Sequence, residues 1–184
     1  MGSFEISSIY MGGLQKALEP LNLTADERAM MTPASRTALA SPSAQRWHPG
    51  EVMFDVLACV ARHRGFKAVT EVNVAVSSGP LLTVVGPLLR VALAFSKSPV
   101  SAAMSRFPQF SGTALKNVTL EWEERSARSG ELVVTYEGVT IPQELLEHAW
   151  RGVFIALSKA IGVELRLEKS ASVAPNALRL FFAW

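Results

Sequence analysis

The chain has 184 residues, of which 49% are hydrophobic and 18% charged, with a formal net charge of +2. That length suits one domain with a packed core, the hydrophobic content excludes wholesale disorder, and so small a charge gives no reason to expect a nucleic-acid partner. Cys59 is the only cysteine, which excludes an intrachain disulfide scaffold.

The opening Met1-Gly2-Ser3-Phe4-Glu5 has neither the basic start nor the apolar core of a signal peptide, and Ile6 stands where a myristoylation pattern wants Ser or Thr. The most apolar run, residues 81–95, contains Pro87 and Arg90 and falls short of the ~20 residues that cross a bilayer. A cytoplasmic protein without a transmembrane segment is expected. Between Arg62 and Arg106 the cations Arg62, Arg64, Lys67, Arg90, Lys97 and Arg106 stand against one acid, Glu71, a pattern that an ordinary solvated face explains.

In chain order, a short helix is expected over residues 9–18. Thr24 and Glu27 have capping-box spacing and start another. Residues 32–49 are rich in Ser, Ala, Thr and Pro and read as a mobile surface loop with at most one helical turn. Pro49-Gly50-Glu51 opens a helix in which Val52, Met53, Val56, Leu57 and Val60 recur at helical spacing, and Gly65 ends it. A second helical piece follows over 66–76, and Ser77-Ser78-Gly79-Pro80 breaks the chain again. The next helix, 81–96, is apolar almost all round and is expected to be central, kinked at Gly86-Pro87. Ser98-Pro99 restarts a short helix that Pro108 should stop.

After Gly112 the period changes. Val118, Leu120 and Trp122 alternate with polar residues, as do Leu132, Val134 and Tyr136, which predicts a hairpin. Thr140 and Gln143 have capping-box spacing ahead of a long helix whose stripe is Leu146, Ala149, Trp150, Val153, Leu157 and Ile161, ended by Gly162. Strands through Val163, Leu165 and Leu167 and through Leu178, Leu180, Phe182 and Trp184 complete the chain. The expected fold is α+β in a single domain: residues 1–110 mainly helical, then an antiparallel sheet of about four strands with one long covering helix, in the order β-β-α-β-β.

Chemistry-bearing residues are sparse. His48, His63 and His148 lie in three different elements with no metal-site spacing, so no metal is expected. Cys59 sits on the flank of an apolar stripe and reads as a buried thiol. Glu121 and Glu123 fall on the polar face of a strand. Phosphate-binding loops and a nucleophile elbow are absent, so no catalytic residues are assigned and an enzyme is not expected.

Several patterns carry a resemblance. Gly12-Gly13-Leu14-Gln15-Lys16-Ala17-Leu18, Arg46-Trp47-His48-Pro49, Arg106-Phe107-Pro108, the helix 145–162 and a last strand ending in Trp184 resemble a paralogous family of unknown function abundant in myxobacteria. More distantly, the helices-first order and the closing hairpin, helix and strands are similar to the heme nitric-oxide/oxygen-binding domain and to vinyl-reductase-type ligand-binding domains. The heme domain's propionate motif is Tyr-x-Ser-x-Arg on the second hairpin strand. Placing its Tyr at Tyr136 puts Gly138 at the Ser position and Thr140 at the Arg position. Its proximal His should precede the hairpin, and residues 81–110 contain none. The resemblance therefore implies the heme domain's fold without its cofactor, and no cofactor is expected.

What remains is a non-enzymatic sensory or interaction domain in bacterial signalling that binds a small apolar ligand or a partner protein. A cavity between the 81–95 helix and the sheet would be lined by Met53, Phe54, Leu57, Val84, Leu88 and Phe95. The alternative is a structural or scaffolding module that homodimerises through the edge of its terminal strand, with Phe181 and Trp184 at the interface.

Overall fold

The computed structural model describes residues 2–94 and 98–184, leaving aside the side chains at positions 80, 81, 83–85, 88, 92 and 94. Phe95 and the side chains of Val84 and Leu88 thus lie outside the described residues.

The chain begins with strand β1 (Glu5–Ser7), whose last residue caps helix α1 (Ser8–Leu18): the Ser7 hydroxyl accepts from the Tyr10 amide at 3.2 Å. Helix α2 (Ala25–Ala29) starts at the expected capping box, with the Glu27 amide donating to Thr24 Oγ1 and the Thr24 amide to Glu27 Oε2. The expected loop 32–49 is instead helix α3 (Pro33–Ala40), a single tight turn, and strand β2 (Trp47–Pro49). Its low hydrophobicity hid good local chemistry. Thr32 caps the helix, Pro33 occupies the first position, and Ser35, Ala38 and Leu39 are buried.

Helix α4 (Glu51–Val76) is long but interrupted at Gly65, whose φ of 78° lies outside the helical region. The expected break therefore falls at Gly65, and the two halves meet there without a separating loop. A π-turn over residues 77–81 leads to α5 (Leu82–Ala94), with Gly79 in a non-helical conformation. Helix α5 is not central. Leu89 is buried, but Pro87 and Arg90 are exposed and Val91 is 61% exposed, so one side faces outward. Apolar side chains contribute much of any protein surface, so apolar content alone did not place it. Helix α6 (Pro99–Ser111) runs through Pro108, which the sequence would have made its end.

Strand β3 (Leu115–Lys116) pairs with β1, which pairs with β2, giving a small antiparallel sheet that the sequence did not reveal. The larger sheet contains β4 (Val118–Ser126), β5 (Ser129–Tyr136), β6 (Arg166–Ala174) and β7 (Ala177–Ala183) in the order β4-β5-β7-β6, all antiparallel. Helix α7 (Gln143–Ile161) lies between this sheet and α4. Its Phe154 ring meets Phe182 of β7 with centroids 4.3 Å apart. On its other side Gly152 allows the α4 backbone at Thr70 and Val74 to come close. The expected capping box at Thr140 does not form: Pro142 holds the cap position, and the Gln143 amide reaches across to Ser172.

The core joins both parts of the chain, running from Phe4, Leu14 and Leu57 to Leu132, Phe154 and Phe182. The architecture is α+β, helices first and then a sheet with one covering helix, as expected. Among the described residues no helix is long and apolar enough to cross a membrane.

Candidate ligand cavity

A cavity of ≈ 100 Å³, open on one side, lies in the helical layer. Its walls come from five helical elements and the link to β3, with Tyr10 of α1, Ser77 of the π-turn, Leu89 of α5, Phe107 of α6, and Trp150 and Leu157 of α7 among the lining residues. Half-buried Leu82, Leu115 and Val153 also border it. No charged side chain borders it among the described residues.

Each polar atom at its margin is accounted for except one. The Tyr10 hydroxyl donates to Asn73 Oδ1 at 2.9 Å, and Asn73 Nδ2 donates to the Val69 carbonyl at 2.9 Å. The Trp150 indole N–H donates to the Tyr136 hydroxyl at 2.9 Å. Burial pushes both phenols well above their ordinary pKa, so they stay protonated. The exception is Ser77: it is 8% exposed, and its Oγ has no hydrogen-bond partner among the described residues.

The cavity lies among helices rather than between a helix and the large sheet. Met53, Phe54 and Leu57 are buried elsewhere, with Phe54 against Phe4 (centroids 5.6 Å apart) and Tyr136 (6.2 Å), and they do not border it. Tyr10, Ser77, Phe107 and Trp150 do. A larger groove of ≈ 630 Å³ between α7 and β6 is a surface depression edged by exposed Lys159, Glu164 and Arg166.

The terminal strand offers no edge. β7 is hydrogen-bonded to β5 on one side and β6 on the other, so pairing of another chain along it is excluded. Phe181 lies half-buried under the Lys169 ammonium, 4.5 Å from the ring centroid, and Trp184 packs on Trp122 at 5.9 Å.

The histidines have structural partners. His48 Nδ1 meets Gln45 at 2.9 Å and its Nε2 meets the Pro42 carbonyl at 2.8 Å. His148 stacks on Phe66 at 4.9 Å with Nδ1 3.3 Å from Thr70 Oγ1. His63 Nδ1 lies 3.5 Å from Glu27 Oε1. The Cys59 thiol, its pKa raised by burial, donates to the Glu27 carbonyl. In the basic stretch, Arg64 pairs with Glu27 at 2.7 Å and Lys67 with Glu71 at 3.7 Å. Among the described residues no group of three His, Cys, Asp or Glu side chains is placed to hold a metal ion.

No protein-family model matches the chain. No curated protein matches it either. Solved structures do. The chain is similar to an Fe(II) unliganded H-NOX protein from K. algicida, with a TM-score of 0.62 at 10% identity over 96% of this chain and 95% of that one. An alanine-to-glycine mutant of that protein superposes with a TM-score of 0.63 at 12% identity, covering 96% of this chain and 95% of the other. A single-residue mutant of T. tengcongensis H-NOX gives 0.56 at 12% identity, with 96% of each chain covered.

Heme does not fit the residues present. Pockets for drug-sized molecules run to ~300–1,000 Å³, and this cavity has ≈ 100 Å³. None of the three histidines borders it, the Tyr10 hydroxyl is committed to Asn73, and no charged side chain among the described residues borders it to meet a propionate. The likeness lies in the backbone: this chain has the fold of the H-NOX domains.

Proposed function

We propose that the protein is a non-enzymatic sensory domain that takes up a small apolar molecule in the cavity bounded by Tyr10, Phe107 and Trp150. The observation that carries this reading is the cavity itself, apolar in lining and placed where α1, α5, α6 and α7 meet. An apolar cavity of comparable size, ~150 Å³, stays dry and accepts benzene or xenon. Because the occupant touches four helices at once, its binding stiffens their mutual packing, and the exposed side of α5 around Val91 is where a partner protein would read the change. The H-NOX fold and the resemblance to a myxobacterial family favour a cytoplasmic role in bacterial signalling, with the heme replaced by a smaller guest.

Thermal denaturation with and without benzene-sized hydrocarbons tests this, alongside native mass spectrometry of the purified chain. A saturable rise in midpoint and a one-to-one bound mass are expected. No stabilisation and a clean apo mass would overturn the reading. Added hemin should give no Soret band of a ligated iron.

A further inference from the structure

The geometry points to a second ligand site, a hollow between α1, α2 and α3 that binds a small amphipathic oxyanion: one carboxylate or phosphate head on a short apolar body. It shares no lining residue with the cavity bounded by Tyr10 and Trp150, so the two sites stand or fall separately.

The hollow has a volume of ≈ 230 Å³. Helix α1 supplies Gln15 and Leu18, α2 supplies Arg28, and α3 supplies Arg36 and Leu39, with Met31 between the last two helices. Leu18, Met31 and Leu39 are buried and make its apolar part. Arg28 and Arg36 are exposed, so a solute can reach both from water.

Both cations lack a counter-charge. No carboxylate borders the hollow, and neither arginine forms an ion pair among the described residues. Glu27, next to Arg28 in sequence, is taken by Arg64 at 2.7 Å. Asp26 stands two positions from Arg28 on α2, a spacing that does not bring helical side chains together. Each guanidinium instead donates to a neutral backbone carbonyl: Arg28 Nε to Leu23 and Arg36 Nη1 to Ala29, both at 3.1 Å. These tethers position the two groups and leave their charges uncompensated, with further N–H donors to spare.

That chemistry selects the ligand. A guanidinium only donates and stays charged, so two of them favour an anion over any neutral acceptor, and their planar forks match carboxylate or phosphate oxygens. A bare anion would leave Leu18, Met31 and Leu39 facing water, whereas an apolar body covers them.

The test is calorimetric titration of the wild-type chain with hexanoate and hexyl phosphate. Their halves are the controls: 1-hexanol has the body without the charge, and acetate and inorganic phosphate have the head without the body. At least one amphiphile is expected to bind one-to-one, roughly tenfold or more tighter than either of its halves, the ratio that charge-assisted hydrogen bonds provide. The tighter of the two names the head. Arg28→Gln combined with Arg36→Gln should weaken that binding by a similar factor and leave 1-hexanol as it was. With methionine methyls labelled for NMR, the Met31 signal, assigned through Met31→Leu, should move along the same saturation curve. No binding of either amphiphile, affinity no better than 1-hexanol, an unmoved Met31 signal, or binding that survives the double variant would overturn the site.

Discussion

The indole N–H of Trp150 donates a 2.9 Å hydrogen bond to the phenolic oxygen of Tyr136. Both side chains are almost wholly buried, and the bond ties α7, which walls the cavity, to the last residue of β5. Tyr136 also stands edge-on to Phe4 with centroids 4.9 Å apart, so the N-terminal strand, the hairpin and the covering helix meet at one phenol. The phenolic oxygen is thus turned to an internal partner.

Tyr136→Phe should destabilise the fold by about 1–3 kcal/mol, because it strands the buried indole N–H. Trp150→Phe removes the other partner and shrinks the ring as well. In the double variant neither group is left unsatisfied, so the second change should cost less than it does alone. Urea denaturation of the four proteins measures this coupling. Strict additivity would mean the bond contributes nothing.

Gly152 is a packing requirement. A Cβ at this position would lie 2.7 Å from the Asn73 Cβ and nearer still to the Thr70 carbonyl oxygen, so α7 and α4 would have to separate. Gly152→Ala should destabilise by about 1–3 kcal/mol, as overpacking does. Gly12→Ala supplies the control, since nothing lies within 4 Å of a Cβ there and the residue is inside α1. It should stabilise by up to ~1 kcal/mol through helix propensity. Thermal midpoints moving in opposite directions are the expected result; a neutral Gly152→Ala would show that the helices are not in close contact at that point.

Glu27 gives the fold an acid sensitivity of known sign. The Arg64 guanidinium, then the Thr24 amide, hold its carboxyl down to about 2 from an ordinary 4.5. A folded-state pKa below the unfolded one adds stability that is fully present above pH 4.5 and is lost as pH falls towards about 2. Glu27→Gln should therefore be less stable than wild type at neutral pH, with the difference shrinking between those two values. Denaturant midpoints across the range check it, and a difference independent of pH would remove the ion pair from the account.

Legibility in the sequence followed the strength of local signals. The hairpin alternation from Val118 to Tyr136, the Thr24–Glu27 capping box and the α7 stripe all rest on residues a few positions apart, and all were readable. Strands β1, β2 and β3 have three residues or fewer, too short to show a period, and they exist because distant segments pair. Thr140 and Gln143 had the right spacing, but the tertiary partner Ser172 took the glutamine. The cavity was least legible. Trp150 and Leu157 read as ordinary stripe residues of one helix and Phe107 only as the residue before Pro108, and the space between them arises only from how α6 and α7 meet their neighbours. Ser77 carried one weak signal, a polar residue between the apolar end of α4 and the Gly79-Pro80 break.

Filling the cavity separates binding from folding. Ala156 is buried on α7 and borders the cavity, so Ala156→Leu places an isobutyl group where the guest would sit. The added carbons bring roughly 0.8 kcal/mol of burial each when they fit, and leucine is nearly as good a helix former as alanine. Stability of the empty protein should therefore hold or rise, while stabilisation by an added hydrocarbon should vanish. The two effects come from the same atoms. A guest and a leucine side chain compete for one space of ≈ 100 Å³, and a variant that satisfies its own core has nothing left to gain from a ligand. Should Ala156→Leu still respond to hydrocarbon as wild type does, the guest is held elsewhere, and the helical cavity is only a packing defect.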